Sequence, residues 1–211
     1  MKKLLMITFL FLLGINLNAA VQVSTEDIEK KLSKQECSSI DTFSPKQIEY
    51  IMSSYIWGLP YGLELMLPAI AWQESCAGLY KVNMYDPSAG LYHAYLPTVM
   101  GRHKSLDSSK FTQNKIAQML INDDKFAASE AIAELLFWKN YYQQNREWTK
   151  MPIEEFMLRS YNRGTSWHES IKNKESADNY NKATKEKMEK ILVFIKKYDI
   201  DKEIKKNYNM K

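Results

Sequence analysis

The stretch Pro60 to Cys76, PYGLELMLPAIAWQESC, constrains this chain more than any other, because its apolar positions repeat at the period of a buried helix and run into a carboxylate. Leu63, Met66, Leu67, Ile70 and Ala71 fall at the i, i+3, i+4, i+7, i+8 spacing of one core-facing stripe. Glu74 lies eleven residues after Leu63. At about 3.6 residues per turn that is close to three whole turns, so Glu74 is expected to continue the stripe and point inward, the alternative being an exposed, idle Glu at a fraying helix end. An interior carboxylate either finds a cation or keeps its proton, and a protonated Glu is a ready general acid. Pro68 is expected to kink this helix, since a proline removes one backbone hydrogen bond.

The rest of the chain reads as further helices joined by irregular loops. Ser44-Pro45-Lys46-Gln47 combines an N-cap, a first-turn proline and a Gln three residues past the cap, ahead of a stripe of Ile48, Ile51, Met52 and Tyr55. Gly78, Asn83, Asp86, Pro87, Ser88 and Gly90 cluster as turn formers, and 94–99 is expected to be extended. Helices are expected to start at Asp107, Ser108 or Ser109 (through Ile116, Met119 and Leu120), at Asp123 or Asp124 (through Ala128, Ile132, Leu135, Leu136 and Tyr142) and at Pro152, the last ending near Gly164. A final helix is expected from about Ala177 to Tyr198, with Met188, Ile191, Leu192 and Ile195 inward. The expected class is mostly α, with little or no sheet.

Residues 1–19 carry Lys2 and Lys3, an apolar run from Leu4 to Ile15 and a small-residue exit at Ala19, the pattern of a secretory signal peptide. That run is shorter than the roughly 20 residues a spanning helix needs. Export places the chain in the periplasm and makes its two cysteines, Cys37 and Cys76, a candidate disulfide, with two reduced thiols the alternative. It also makes nucleic acid a poor partner. Removing Lys2 and Lys3 lowers the net charge from +4 to +2. Residues 172–211 hold 12 Lys against 7 acidic residues, a solvated helix face or an attraction to an anionic envelope surface. His93, His103 and His168 lack ligand spacing, so no metal and no cofactor is expected.

Three patches occur in order: Glu74-Ser75, then Ser88-Ala89-Gly90-Leu91-Tyr92-His93, then Ser160-Tyr161-Asn162-Arg163-Gly164. Together they resemble the lytic transglycosylases of the lysozyme-like superfamily, whose pattern is Glu-Ser, a Ser-x-Gly-Leu-x-Gln loop and Ala-Tyr-Asn-x-Gly. The resemblance spans about 45–170, with His93 in place of the usual Gln, Ser160 in place of Ala, and Cys76 directly after Glu-Ser. It implies a lysozyme-like domain over 44–171; the polar residues 20–43 are expected to form an N-terminal arm and 172–211 a Lys-rich helical extension packed on that domain. It implies an enzyme that cleaves the β-1,4 bond between N-acetylmuramic acid and N-acetylglucosamine in peptidoglycan, leaving 1,6-anhydro ends.

In that resemblance Glu74 is the acid and base, Tyr161 hydrogen-bonds and orients it, and Ser88 supports it or touches substrate. Ser75, Gly90, Tyr92, His93, Asn162 and Trp167 are the implied substrate contacts, with core packing the alternative for Tyr92 and Trp167. The implied partners are glycan strands and, beyond them, secretion or motility machinery of the envelope; a monomer is expected. Two rivals stand beside this reading. One is a muramidase on the same scaffold, with Asp86 as second acid; the other is a wall-binding protein without turnover.

Overall fold

Helix α1, Pro45–Gly58, begins with the capping box its sequence calls for: Ser44 Oγ accepts from the Gln47 amide at 3.3 Å and Gln47 Oε1 accepts from the Ser44 amide at 3.0 Å. The computed structural model describes residues 37–145, 147 and 150–200. The signal-like segment and most of the expected arm lie outside the described residues. The part of that arm that is described, from Cys37, belongs to the core: Ile40 is buried, Phe43 packs edge-on against Trp72, and Cys37 O accepts from Trp72 Nε1 at 2.7 Å.

The central helix α2 runs Met66–Ser75 and is shorter than the stretch from Pro60 to Cys76. Leu59–Tyr61 form a 3-10 turn, and Gly62 follows in the left-handed region at φ 69°. Gly58 is required beside it, since a Cβ there would sit 2.6 Å from Leu63 O. The helix therefore starts late, and Pro68 falls in its first turn, where amides have no intrahelical acceptor; the expected kink has no cause. Burial goes beyond one stripe. Leu63, Met66, Leu67, Ile70 and Ala71 join a core cluster with Leu120, Leu135 and Phe156, while Ala69 and Trp72 face a second one with Ile51, Tyr55, Ile191 and Ile195. A helix apolar on both sides must lie between other elements, which makes α2 the axis of the fold.

After α2, Cys76 and Ala77 both take positive φ, 53° each, a conformation that costs an L-residue roughly 1–2 kcal/mol. Long-range contacts hold them there. Cys76 is bonded to Cys37 with a Cα–Cα distance of 5.6 Å, its carbonyl accepts from Gln47 Nε2 at 2.9 Å, and the Ala77 amide donates to Ala71 O at 3.0 Å. Closing a loop across a separation of 39 residues contributes ~4 kcal/mol in a chain-entropy treatment.

Two short strands, β1 Ser88–Ala89 and β2 Ala94–Tyr95, pair antiparallel with Ser88 opposite Tyr95 and Ala89 opposite Ala94. They are the described sheet, in keeping with a mostly α class. The extended piece expected over 94–99 ends at Tyr95, because Pro97 suits a first helical turn and α3, Leu96–Arg102, begins there.

Helix α4, Lys110–Asn122, is capped by Ser109, and α5, Asp124–Gln144, by Asp123. Met119 is exposed where an inward position was expected. Helix α6, Ile153–Arg163, ends at Gly164, and a 3-10 turn, Gly164–His168, leads to α7, Ile171–Lys197.

Helix α7 begins earlier than Ala177 because Ser170 caps it. It is not an extension added to a complete domain: Ala177, Tyr180, Thr184, Ile191 and Ile195 are buried, shared between both core clusters. The boundaries expected at 43/44 and 171/172 therefore do not divide the described structure. No helix among the described residues is long and apolar enough to cross a membrane.

Candidate active site

Glu74 precedes the last residue of α2, so the strained cap at Cys76 and Ala77 sets where its side chain emerges. Ser75 anchors the cap. Its hydroxyl lies 2.6 Å from Leu91 O and 3.0 Å from Ala71 O, and accepts from the Gly78 amide at 2.9 Å. Ser75 is fully buried and makes no part of the cleft surface, which corrects its expected role as a substrate contact.

Glu74 opens into a cleft of about 460 Å³. One wall is the loop carrying Asn83, Asp86, Ser88 and His93; the other is Glu134 and Trp138 of α5 with the end of α6 from Ser160 to Gly164. The three sequence patches thus meet around one carboxylate. The Glu74 side chain is 19% exposed, wet enough to reach a ligand and enclosed enough to strengthen its electrostatics.

The nearest ionisable group to be paired with it is His93, whose Nδ1 lies 3.5 Å from Glu74 Oε2. His93 Nε2 is 2.7 Å from Tyr80 O, and since a carbonyl only accepts, that nitrogen carries the hydrogen. Burial works to lower the His93 pKa. Hydrogen bonding to Glu74 and to the Tyr80 carbonyl, with the charges of Glu74 and Asp86, outweighs it and leaves the pKa raised.

Tyr161 was expected to hydrogen-bond Glu74. Its hydroxyl instead donates to Tyr92 O at 2.8 Å, because α6 packs against the loop and the carbonyl is the acceptor within reach. It stays electrostatically coupled to the site: burial first, then the charges of Glu74 and Glu134, holds its pKa well above the usual phenol value. Ser88 Oγ donates to Asp86 and accepts from Asn83 Nδ2 at 3.1 Å, so it braces the loop and not Glu74. Asn162 lines the cleft, with its Oδ1 buried and unpartnered.

Three more expected substrate contacts belong to the scaffold. Gly90, at φ 87°, passes so close to α4 that a Cβ would stand 2.4 Å from Leu120 O. Tyr92 is buried with its hydroxyl 2.7 Å from Ser54 Oγ. Trp167 is buried against Phe156 and donates to Ser160 Oγ at 3.3 Å. The aromatic groups that do line the cleft are Tyr95, Tyr161 and Trp138.

Two functional candidates escaped the sequence reading. Tyr180 of α7 has a buried hydroxyl with no partner at good hydrogen-bond geometry, though Glu74 and Thr184 are close enough to act on it, and burial, followed by the Glu74 charge, raises its pKa well above the ordinary value. Its signal was present in the register: Tyr180 lies eleven residues before Ile191, on the inward face of the last helix. Glu134 is the other, a second carboxylate in the cleft. It accepts from Arg102 Nη1 at 2.6 Å and from Trp138 Nε1 at 2.8 Å, beside Glu130, which accepts from Arg102 Nε at 2.8 Å and lies 2.7 Å from His103 Nε2.

Among the described residues no three His, Cys, Asp or Glu side chains converge as a metal site. The arrangement offers acid–base chemistry: one lightly held carboxylate, an imidazole beside it, and a polar groove ahead of it. Comparison of the chain with protein families, with curated proteins and with solved structures finds no match.

Proposed function

We propose that this protein is a peptidoglycan lytic transglycosylase with Glu74 as its acid and base. The observation that supports it is the convergence of Glu74, the loop from Asn83 to His93 and the Tyr161-Asn162 pair on one open cleft. Convergence of separated motifs carries more weight than any motif alone. In this reading Glu74 gives its proton to the glycosidic oxygen as the C1–O bond breaks. The resulting carboxylate then takes the proton of the muramic acid C6 hydroxyl as that oxygen bonds to C1. No water is consumed, so the product carries a 1,6-anhydro end. The cleft is lined by hydrogen-bonding side chains suited to sugar hydroxyls, Asn83, Ser88, Asn162 and Ser166 among them. A leader-like segment at residues 1–19 fits a periplasmic site of action on glycan strands, with envelope machinery as the setting.

A hydrolytic outcome is the second reading, favoured by the presence of Asp86 and Glu134 in the same cleft. A water-activating base needs such a second carboxylate. Digestion of purified sacculi followed by mass spectrometry separates the two, because anhydro ends are one water lighter than reducing ends. A drop of about 10³-fold in product release in Glu74→Gln, with the fold retained, is the expected result; undiminished release would overturn the assignment. Binding to sacculi without soluble product from the wild type would instead identify a wall-binding protein.

A further inference from the structure

Glu74 must both give and take back a proton, and the group beside it is one that changes charge near neutral pH. We propose that Glu74 and His93 form a pair sharing one acidic proton, in which His93 is the positioning residue that stores the proton between turnovers and returns it to Glu74. The inference rests on reading Glu74 as the acid and base.

The two imidazole nitrogens have separate duties. Nε2, 2.7 Å from Tyr80 O, keeps its hydrogen whether the ring is neutral or cationic. Nδ1, 3.5 Å from Glu74 Oε2, is therefore the atom that gains or loses a proton, and it faces the carboxylate. The backbone is shaped for this aim: His93 sits at φ 46°, with its amide donating to Gly90 O at 3.2 Å, and histidine is among the side chains found more often in that region.

The surrounding charges favour an imidazolium there. Glu74 comes from α2 and Asp86 from the loop before β1. A small adjoining cavity brings Arg102 of α3, Glu130 and Glu134 of α5 and Tyr161 of α6 next to His93. Arg102 is the one cation in that set, and it is paired with both Glu130 and Glu134. Tyr180 of α7 is neutral and approaches from the Glu74 side.

The proton count closes over one turnover. With the proton on Nδ1, Glu74 is a carboxylate; with it on Oε2, Nδ1 is a bare acceptor. Transfer to the glycosidic oxygen leaves the pair empty as the C1–O bond breaks. The C6 hydroxyl proton refills it as the new C6 O–C1 bond forms. No further reactant is needed, and the pair stays loaded until the pH exceeds the titration of His93.

The test is ring 15N NMR of the three histidines of the full chain across pH, in the wild type and in Glu74→Gln, with His93→Gln used to assign the signals. The expected result is that Nε2 keeps its hydrogen throughout, that Nδ1 titrates, and that Glu74→Gln moves this titration to lower pH. An unchanged titration in Glu74→Gln, or a neutral ring protonated on Nδ1, overturns the pair. In sacculus digestion, product release by the wild type should fall on the alkaline side with an inflection that follows the His93 titration, and His93→Gln should lose that inflection. An inflection retained in His93→Gln also overturns it. If the wild type yields no glycan product at any pH, the functional reading fails while the 15N titration still decides the pair.

Discussion

Carboxylates in and beside the cleft sit in two contrasting settings. On the α5 side, Glu130 and Glu134 are tied down: Arg102 bridges both, His103 closes on Glu130 and the Trp138 indole on Glu134. On the α2 side, Glu74 has His93 at 3.5 Å and an unbonded Tyr180 hydroxyl nearby. A carboxylate clamped by a guanidinium is fixed in place by charge-assisted hydrogen bonds, which suits it to joining helices. One with a loose, titratable neighbour is able to exchange its proton, which suits it to chemistry. Under the proposed function, one side of the groove is structural and the other carries turnover.

Glu74→Gln is the sharpest way to break that contrast. Product release from sacculi should drop about 10³-fold, within the range assigned to a general acid, with the melting temperature little changed. A large stability loss with modest loss of activity would reverse the assignment. Next in size is Arg102→Met, which leaves the 7%-exposed Glu130 side chain without its guanidinium. Urea unfolding should show a cost of about 3 kcal/mol, the lower end for breaking a buried pair.

Tyr180→Phe tests the unpartnered hydroxyl beside Glu74. Its removal should change unfolding free energy by less than about 1 kcal/mol, since no hydrogen bond of good geometry is lost, while product release slows about tenfold if the hydroxyl closes on Glu74 when substrate binds. Glu134→Gln keeps an acceptor for Trp138 and loses the charge facing Arg102; a cost of ~1–2 kcal/mol is expected, with anhydro ends still the product. Reducing ends in the wild type that disappear in this variant would make Glu134 a second acid.

The smallest effect is in pH-dependent stability. The folded-state pKa of His93 is raised, so its contribution is fully present below the unfolded value of about 6.5 and is lost as pH rises through the folded value. Thermal melts of wild type and His93→Gln should therefore differ most at acid pH and converge at alkaline pH.

Much of the scaffold was legible because it is written in short-range terms. Ser44, Ser109 and Asp123 cap helices with their own side chains, and each needs only a backbone amide two or three residues away. Glu74 was legible because within α2 it follows Ile70 and Ala71 by four and three residues, one helical turn, even though Leu63 lies before the helix begins. The loop was less so. Gly90, Tyr92 and Ser75 lie in or beside the patches expected to touch substrate, yet their groups meet Leu120, Ser54 and Leu91. Spacing within a loop does not say which side of it will be covered by another helix.

The sequence by itself determined the helical class, the capped starts of α1, α4 and α5 and the side of α2 on which Glu74 emerges, since capping and periodicity act within about a turn. Only the tertiary structure decided that α7 completes the core, that Tyr161 spends its hydroxyl on Tyr92 O, and that His93 and Tyr180 flank Glu74 while Arg102 holds Glu130 and Glu134. Those outcomes depend on which elements, distant in the chain, arrive at the same place. A hydrogen-bonding group takes the nearest well-placed partner, and packing alone sets which partner that is.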